Sequence, residues 1–279
     1  MVPEPMLDEW LLAALREDLG SGDVTSEILV PPGLHGQAVI QAKEPLIVAG
    51  LEIAIRAFNL LSGEVRVLAR SEDGGKVEAG AVLLELEGAV RDLLGGERVA
   101  LNILQHLSGV ATLTRRFVDA VEGTGTKILD TRKTLPGMRA LEKYAVRVGG
   151  GVNHRSSLSE GILVKENHLA ACGGVTEAVK ALKRKAPHTL RVEIEASTLE
   201  EVEEAVAAGV DAILLDNMST ETILEAVKRV RGTAQLEVSG GVRLENVREI
   251  AETGVDAISV GMLTHSAPGV DISMLLKDG

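Results

Sequence analysis

The 279-residue chain has one cysteine, four aromatic residues and no apolar run long enough for a membrane helix. Its single cysteine, Cys172, excludes an internal disulfide and a cysteine-rich zinc site and is typical of a reducing compartment. The longest uncharged stretch, Val99 to Thr114, contains polar side chains and falls short of the ~20 apolar residues of a membrane span. The start, MVPEPMLDEW, lacks the basic and apolar segments of a secretory signal. We therefore expect a soluble, cytoplasmic protein with no membrane partner.

Basic blocks are also missing from the sequence. The chain has 29 Lys and Arg against 41 Asp and Glu, a net charge of −12, and its few aromatic residues are scattered. Nucleic-acid binders use basic patches and aromatic stacking platforms, so we expect no nucleic-acid partner. The sequence contains no Walker A motif, no HExxH, and no GxGxxG between a strand and a helix, which excludes P-loop, zincin and Rossmann proteins.

The first hundred residues predict a small α+β domain. Apolar residues at helical spacing predict helices over Leu7–Leu19 and Leu51–Leu61. The strands predicted around the second helix are 37–41, 46–48, 65–68 and 82–86, with a turn at Asp73-Gly74-Gly75 before the last one. Short strands and turns of this kind are typical of an antiparallel sheet.

A long helical stretch, Glu97 to Val121, with a bend expected near Gly109, precedes a different pattern. Strands then alternate with helices, and the predicted strands are 127–130, 162–165, 190–195, 212–215, 235–238 and 257–260. Apolar strands joined by helical crossovers form parallel sheets, and six strands predict an incomplete α/β barrel. The expected fold class is thus α/β, with an N-terminal α+β domain at residues 1–104 and an incomplete α/β barrel at residues 105–265.

Polar or glycine residues stand at the end of all six predicted barrel strands. Barrel enzymes place their chemistry there, because the loops converge on one axis while the strands hold them rigid. A single charged strand end is usually a solvated rim residue, but six in succession favour a site. These ends are Asp130-Thr131-Arg132-Lys133, Lys165, Glu195, Asp216-Asn217, Ser239-Gly240-Gly241 and Gly261.

Positive charge is concentrated near the first two strand ends. Residues 127–168 contain eight cations and four anions, whereas the rest of the chain contains 21 cations and 37 anions. Four charged residues at helical spacing are best explained as a solvated helix face: Arg139, Glu142, Lys143 and Arg147. The others flank strand ends and predict a site for a small polyanion, since arginine forks suit carboxylates and phosphates: Arg132, Lys133, Arg155 and Lys165, with His154 beside them.

Two carboxylates, Glu195 and Asp216, end consecutive predicted strands at equivalent positions. Such a pair can bind a divalent cation, accept hydrogen bonds from sugar hydroxyls or stabilise a carbocation-like transition state. The alternative is an internal salt bridge to Lys165 or Arg132.

Small residues follow the last two strands, in Ser239-Gly240-Gly241 and Ser259-Val260-Gly261. They let backbone N–H groups approach a phosphate, as in the usual phosphate site of a barrel. Plain tight turns are the alternative for either loop taken alone, but the occurrence of both favours phosphate.

Longer strings identify the chain as similar to the quinolinate phosphoribosyltransferases, the carboxylating nicotinate-nucleotide pyrophosphorylases. The strings that carry the resemblance are ERVALNILQHLSGVAT (97–112), DTRKTLPGMRALEKYAVRVGGGVNHR (130–155), KENH (165–168), LLDN (214–217), SGG (239–241) and SVGMLTHS (259–266). The resemblance implies transfer of a phosphoribosyl group from phosphoribosyl pyrophosphate to quinolinate, with decarboxylation, by a homodimer or higher oligomer that uses Mg²⁺. It also implies that the N-terminal α+β domain is a sandwich, which the tail, residues 266–279, completes.

Residue roles follow from the same resemblance. Lys133, Glu195 and Asp216 would be catalytic, and Glu195 and Asp216 would also hold Mg²⁺. Arg98 would reach the site of the partner subunit. The substrate-binding set implied is Arg98, Thr131, Arg132, Lys133, His154, Arg155, Lys165, Glu195, Asp216, Ser239, Gly240, Gly241, Ser259, Val260, Gly261 and His265. Two alternatives are a ModD-like paralogue with another acceptor and a non-catalytic barrel that binds a phosphorylated metabolite.

Overall fold

The computed structural model describes residues 4–63 and 65–277, and these residues form two compact units. One unit contains the chain up to Arg115, the segment Leu135–Gly150 and the chain from Ser266 onward; the other contains Arg116–Thr134 and Gly151–His265. The boundary predicted between residues 104 and 105 falls inside one continuous helix. The parts of the predicted domains at residues 1–3 and 278–279 lie outside the described residues.

The first unit is built on an antiparallel sheet with the order β12-β1-β5-β3. Its elements, in chain order, are α1 (Glu4–Leu19), α2 (Val24–Leu29), β1 (His35–Ala42), β2 (Leu46–Ile47), α3 (Leu51–Ser62), β3 (Arg66–Arg70), β4 (Lys76–Val77), β5 (Val82–Ala89), α4 (Val90–Ala120), α5 (Arg139–Val148) and β12 (Ile272–Leu276). The last residues of α4, after Arg115, belong to the second unit. This arrangement confirms the predicted antiparallel α+β domain.

The tail strand β12 lies beside β1, with Ile40 opposite Met274 and Ala42 opposite Ile272. Ile40, Ala42 and Ile272 are buried, so the tail contributes to the apolar core of this unit. The side chain of Gln105 on α4 also donates a hydrogen bond to the carbonyl of Ile272, at 2.9 Å. The tail strand is therefore one edge of the sheet of the first unit.

The Asp73-Gly74-Gly75 turn has a second role that its sequence did not reveal. The Asp73 carboxylate accepts hydrogen bonds from the backbone N–H groups of Gly50 and Leu51, at 2.9 and 3.2 Å, and from the hydroxyl of Tyr144. A carboxylate at a helix start satisfies amides that have no partner within the helix. The turn thus fixes the start of α3.

Helix α5 corrects one prediction. Its charged residues were expected on a solvated face, yet the side chains of Glu142 and Lys143 are buried, with 0% and 2% of their surface exposed. The Glu142 carboxylate contacts His106 Nε2 at 2.9 Å and accepts the N–H of Leu135 at 3.2 Å. Helical spacing alone does not say which face a helix buries, and here the polar partners allow burial.

The second unit is a parallel sheet with the order β6-β11-β10-β9-β8-β7. Its elements are β6 (Lys127–Leu129), β7 (Ile162–Val164), α6 (Glu166–Cys172), α7 (Val175–Lys185), β8 (Val192–Ala196), α8 (Leu199–Ala208), β9 (Ala212–Asp216), α9 (Thr220–Val230), β10 (Gln235–Ser239), α10 (Val247–Glu252), β11 (Ala257–Ser259) and α11 (Met262–His265). The six predicted strands are all present, which confirms the predicted fold class.

The sheet curls into an incomplete barrel. Val152 forms a parallel bridge with Leu129, beyond the free edge of β6. Two residues later, the side chain of His154 reaches carboxylates on β8 and β10. In a flat sheet β8 would lie four strands away from β6, so a segment beside the outer edge of β6 could not reach it. These contacts therefore require a closed interior, with its gap between β6 and β7.

No helix among the described residues is long and apolar enough to cross a membrane.

Glycine at position 109 is explained by a close approach of the chain. A Cβ built at Gly109 would lie 2.2 Å from the Pro268 carbonyl oxygen, whereas a Cβ at Gly95, on the same helix, would meet the Leu19 and Leu61 side chains at the ordinary contact distances of 3.4 and 3.8 Å. We expect Gly109→Ala to lower the free energy of unfolding by about 1–3 kcal/mol.

Gly95→Ala is the matched control, and it should raise the free energy of unfolding by up to about 1 kcal/mol, because alanine favours a helix over glycine. Urea unfolding followed by circular dichroism measures both. Equal effects at the two positions would contradict the close-approach explanation.

Candidate active site

The loops after β10 and β11 enclose a cavity of about 360 Å³ in the second unit. Eight residues predicted for the site line it: Lys133, Ser239, Gly240, Gly241, Ser259, Val260, Gly261 and His265. Arg243 lines it as well. The sequence analysis missed Arg243, although a cation two residues after a glycine pair was a visible signal. Glycine backbone, a lysine and an arginine together suit a phosphate group.

The conformation of the first loop requires glycine. Gly240 has φ +89°, and a Cβ there would lie 2.2 Å from the Asn217 side chain. Asn217 itself has φ 52°, and its N–H donates to the Ser239 carbonyl at 2.9 Å. Asparagine tolerates the left-handed region better than most residues. The ends of β9 and β10 are therefore fitted closely to each other.

The second loop is packed against Lys133. A Cβ at Gly261 would lie 3.0 Å from the Lys133 side chain and 3.2 Å from His265 Nε2. The Thr264 hydroxyl donates to the Lys133 carbonyl at 2.7 Å. The Val260 N–H donates to the Leu129 carbonyl at 2.9 Å, so this amide belongs to the sheet in the present structure. Gly261 thus leaves room for Lys133 at the cavity wall.

Two of the predicted cations, Arg132 and Arg155, interact electrostatically in the second unit. Burial lowers the pKa of Arg155, the positive charge of Arg132 lowers it further, and the Glu193 carboxylate opposes both. The Arg155 guanidinium donates to the Gly161 carbonyl at 2.8 Å. Thr131 is beside them, where its hydroxyl oxygen accepts the Lys133 N–H at 3.0 Å. The structure therefore places Arg132 and Arg155 close enough to repel.

The segment that carries His154 and Arg155 is held by a buried carboxylate. Asp130 has 0% of its surface exposed and accepts the His154 N–H at 2.8 Å and the Asn153 side-chain amide at 2.5 Å. The Val152 N–H donates to the Ile128 carbonyl at 2.8 Å. This glycine-preceded segment is therefore fixed against β6.

Two carboxylates inside the barrel were missed by the sequence analysis. His154 Nε2 lies 3.2 Å from Glu193 Oε2 and 3.7 Å from Glu237 Oε2. Burial, together with the negative charge of Glu193, raises the pKa of Glu237 to about 7. The available signal was a glutamate in the interior of each of two predicted strands, because such a residue points either to solvent or into a polar interior.

Lys165 and Glu195 form an ion pair across the ends of β7 and β8. This is the internal salt bridge that the sequence left open as an alternative for Glu195. Asp216 does not stand at the equivalent level, because Glu195 pairs with Leu214, which puts Asp216 two residues further along on the same face. Both carboxylates are half-buried hard oxygen donors of the kind that Mg²⁺ prefers, so the pair fits that ion.

Arg98 belongs to the first unit. It lines a cavity of about 360 Å³ there, with Trp10, Asn102 and His106 among its neighbours. Arg98, Asn102 and His106 follow one another at intervals of four on α4, and therefore share one face of the helix.

The second unit thus defines a class: an α/β-barrel protein with a glycine-lined cavity and with basic and acidic side chains at its strand ends. Family models assign the chain more closely. The quinolinate phosphoribosyl transferase C-terminal domain matches residues 110–275, and the N-terminal domain of the same family matches residues 23–108. The chain belongs to the quinolinate phosphoribosyltransferase family.

Individual relatives agree with this assignment. The chain is 46% identical over 267 residues to the nicotinate-nucleotide pyrophosphorylase [carboxylating] of Mycobacterium leprae, covering 94% of each chain. It is 45% identical over 258 residues to a probable nicotinate-nucleotide pyrophosphorylase [carboxylating] of Bacillus subtilis, covering 92% of this chain and 89% of the relative. The crystal structure of NadC from Streptococcus pyogenes superposes with a TM-score of 0.95 at 41% identity, covering 100% of this chain and 99% of that one.

Stability should depend on pH through Glu237. Its pKa is about 7 in the folded protein against 4.5 for the ordinary group, so the folded state binds more protons in this interval and stability falls as the pH rises through it. Glu237→Gln removes this loss, and we expect the variant to gain about 1–3 kcal/mol relative to the parent at pH 8 compared with pH 5.

Urea unfolding at pH 5 and pH 8 tests this expectation. Glu177→Gln, at an exposed position on α7, is the matched control and should shift stability equally at both pH values. A Glu237→Gln variant with the pH dependence of the parent would contradict the assignment.

Proposed function

We propose that the protein transfers the phosphoribosyl group of phosphoribosyl pyrophosphate to quinolinate, with decarboxylation, and so forms nicotinate mononucleotide, pyrophosphate and CO₂ in de novo NAD biosynthesis. Membership of the quinolinate phosphoribosyltransferase family supports this enzyme activity. The observation that carries it in the structure is the cavity lined by the two small-residue loops and Lys133, in the same unit as Arg132 and Arg155.

The acceptor is a dicarboxylate in this proposal. Two neighbouring guanidinium groups repel each other, and a dianion between them removes that cost. Arg132, Arg155 and Lys165 are the groups that we assign to the two carboxylates of quinolinate, with His154 in the same subsite. Thr131 then orders the backbone next to Arg132, because its hydroxyl accepts the Lys133 N–H.

The donor occupies the glycine-lined cavity. Its 5′-phosphate fits the two loops that follow β10 and β11, where Ser239, Gly240, Gly241 and His265 line the wall and Ser259, Val260 and Gly261 form the second side. Lys133 stands at the same wall and faces the pyrophosphate. This assignment puts the ribose ring toward the ends of β8 and β9, where Glu195 and Asp216 lie.

Bond cleavage creates opposite charges at two places. Positive charge develops on the ribose carbon, and the carboxylates of Glu195 and Asp216 stabilise it, while Lys133 stabilises the leaving pyrophosphate. Glu195 and Asp216 would also hold Mg²⁺ or the ribose hydroxyls. When bound, Mg²⁺ supplies charge neutralisation for the leaving group.

Orientation contributes the rest of the rate. Arg132 and Arg155 hold the pyridine ring so that its nitrogen faces the ribose carbon, and such positioning is worth several kcal/mol in general. The ring nitrogen becomes cationic once it is alkylated. The adjacent carboxylate group then leaves as CO₂, because the cationic nitrogen stabilises the carbanion that remains, and a proton from water takes its place on the ring carbon.

The proposal includes a homodimer in the cytoplasm. Arg98 lines a cavity of its own unit together with Trp10 and Asn102, and we assign it to the active site of the partner subunit. Cys172, the single cysteine, is exposed and free, which fits a reducing compartment.

A product assay tests the reaction. Purified protein with quinolinate, phosphoribosyl pyrophosphate and Mg²⁺ should release CO₂ and pyrophosphate in equal amounts, and removal of divalent metal with EDTA should lower the rate by at least about tenfold. Turnover of a different acceptor but not of quinolinate would favour the paralogue. Binding of phosphoribosyl pyrophosphate without turnover of any acceptor would favour a non-catalytic barrel.

A mixing experiment tests the shared site. Arg98→Ala and Lys165→Ala should each be inactive alone. An equal mixture allowed to exchange subunits should recover about a quarter of the activity, because about half of the dimers are then mixed and one of the two sites in each mixed dimer is intact. Mixing each variant with itself is the control. No recovery despite exchange shown by mass spectrometry would contradict the assignment of Arg98.

A further inference from the structure

His154 uses both of its ring nitrogens within the protein. Nδ1 accepts the backbone N–H of Arg155 at 2.7 Å, and Nε2 lies 3.2 Å from the Glu193 carboxylate. A nitrogen that accepts a hydrogen bond carries no proton, so the proton of the neutral ring is on Nε2 and is donated to Glu193. The imidazole therefore connects a carboxylate inside the barrel to the backbone of Arg155.

Arg155 is fixed from several directions by these contacts. Asp130 accepts the His154 N–H, one residue earlier, and the Gly161 carbonyl accepts from the guanidinium. Glu193 also acts on Arg155 by charge, since it opposes the effect of Arg132 on the guanidinium. The carboxylate thus supports the arginine both through His154 and across space.

We propose that Glu193 is a positioning residue for the dicarboxylate subsite, which it maintains by holding His154 and, through it, Arg155. This inference rests on the proposed function, because it assigns Arg155 to quinolinate. His154 then serves the substrate through Arg155. Glu237, whose Oε1 is buried with no hydrogen-bond partner, approaches the same Nε2 with its Oε2, at 3.7 Å.

A metal ion is the competing explanation of the same cluster. One ligand atom from each of His154, Glu193 and Glu237 lies within 4.8 Å of the other two. A metal at Nε2 would need the lone pair of that nitrogen and would move the proton to Nδ1, which faces the Arg155 N–H donor. The hydrogen bonds therefore favour the positioning role, and metal binding becomes an outcome of the test.

Four variants separate these roles: Glu193→Ala, Glu193→Gln, Arg155→Ala and the double variant of Glu193→Ala with Arg155→Ala. Phthalate, which has the two adjacent carboxylates of quinolinate but no ring nitrogen, serves as a non-reacting probe of the subsite. We expect Glu193→Ala to raise the KM for quinolinate and the Kd for phthalate, measured by calorimetry, by about tenfold or more. The KM for phosphoribosyl pyrophosphate should stay within about twofold of the parent. Glu193→Gln should stay within about threefold, because the amide oxygen still accepts the Nε2 proton.

The double variant tests whether Glu193 acts through Arg155. Its Kd for phthalate should equal that of Arg155→Ala within about twofold, because the second change then removes nothing further. Glu203→Ala is the matched control: it removes one exposed carboxylate from α8 and should leave all constants unchanged. NMR of the imidazole nitrogens, with the His154 signal identified by its loss in His154→Asn, should show the proton on Nε2 in the parent.

Several results would overturn the proposal. These are an unchanged quinolinate KM in folded Glu193→Ala, a Glu193→Gln variant as impaired as Glu193→Ala, additive effects in the double variant, or a His154 proton on Nδ1. Stoichiometric binding of Zn²⁺ or Mn²⁺ that Glu193→Ala abolishes would establish the metal site instead. If Glu193→Ala does not fold, Glu193→Gln and the NMR measurement decide. Failure of the parent protein to bind phthalate or to turn over quinolinate would count against the proposed function, not against the hydrogen bonds of His154.

Discussion

The candidate site depends on keeping like charges together. Burial lowers the pKa of Arg155, and the positive charge of Arg132 lowers it further. Two unit charges at 4 Å repel by about 1–4 kcal/mol at effective dielectric constants of 80 to 20. The Glu193 carboxylate on β8 opposes this effect on Arg155, and the Asp130 carboxylate, after β6, holds the segment that carries the arginine. Carboxylates inside the barrel therefore allow cations to cluster at the candidate site of a chain whose net charge is −12.

The sequence could predict the parts of this arrangement that follow from strand periodicity. Strand ends are readable from it, so Lys165, Glu195 and the two small-residue loops were placed correctly in the barrel. Glu193 and Glu237 were not identified, because their importance comes from the curling of the sheet, which brings β8 and β10 to one histidine. The same limit explains Glu142, whose helical spacing suits a solvated face until His106 and the Leu135 amide supply partners. Tertiary contacts determine the burial and the partners of these residues, and the spacing of residues along the chain does not reveal those contacts.

Glycines set several of the closest approaches in the molecule. At Gly240 and Gly261 the missing side chain leaves space for Asn217 and Lys133, and at Gly109 it admits the carbonyl of Pro268. In each case a neighbouring backbone or functional side chain occupies the volume of a methyl group. The sequence shows that glycine is present, but only the packed structure shows which neighbour needs the space.

The pairing of β12 with β1 has a consequence for biosynthesis. The two strands belong to one sheet, yet all six strands of the parallel sheet are translated between them. While the ribosome makes that intervening part, the edge of β1 from Ala38 to Ala42 has no partner on one side. An uncovered strand edge is a template for association with other chains, and distant pairings form late in folding. The first unit is therefore the last to be finished. Until β12 is made, the nascent chain exposes an edge of β1 that can pair with a strand of another chain.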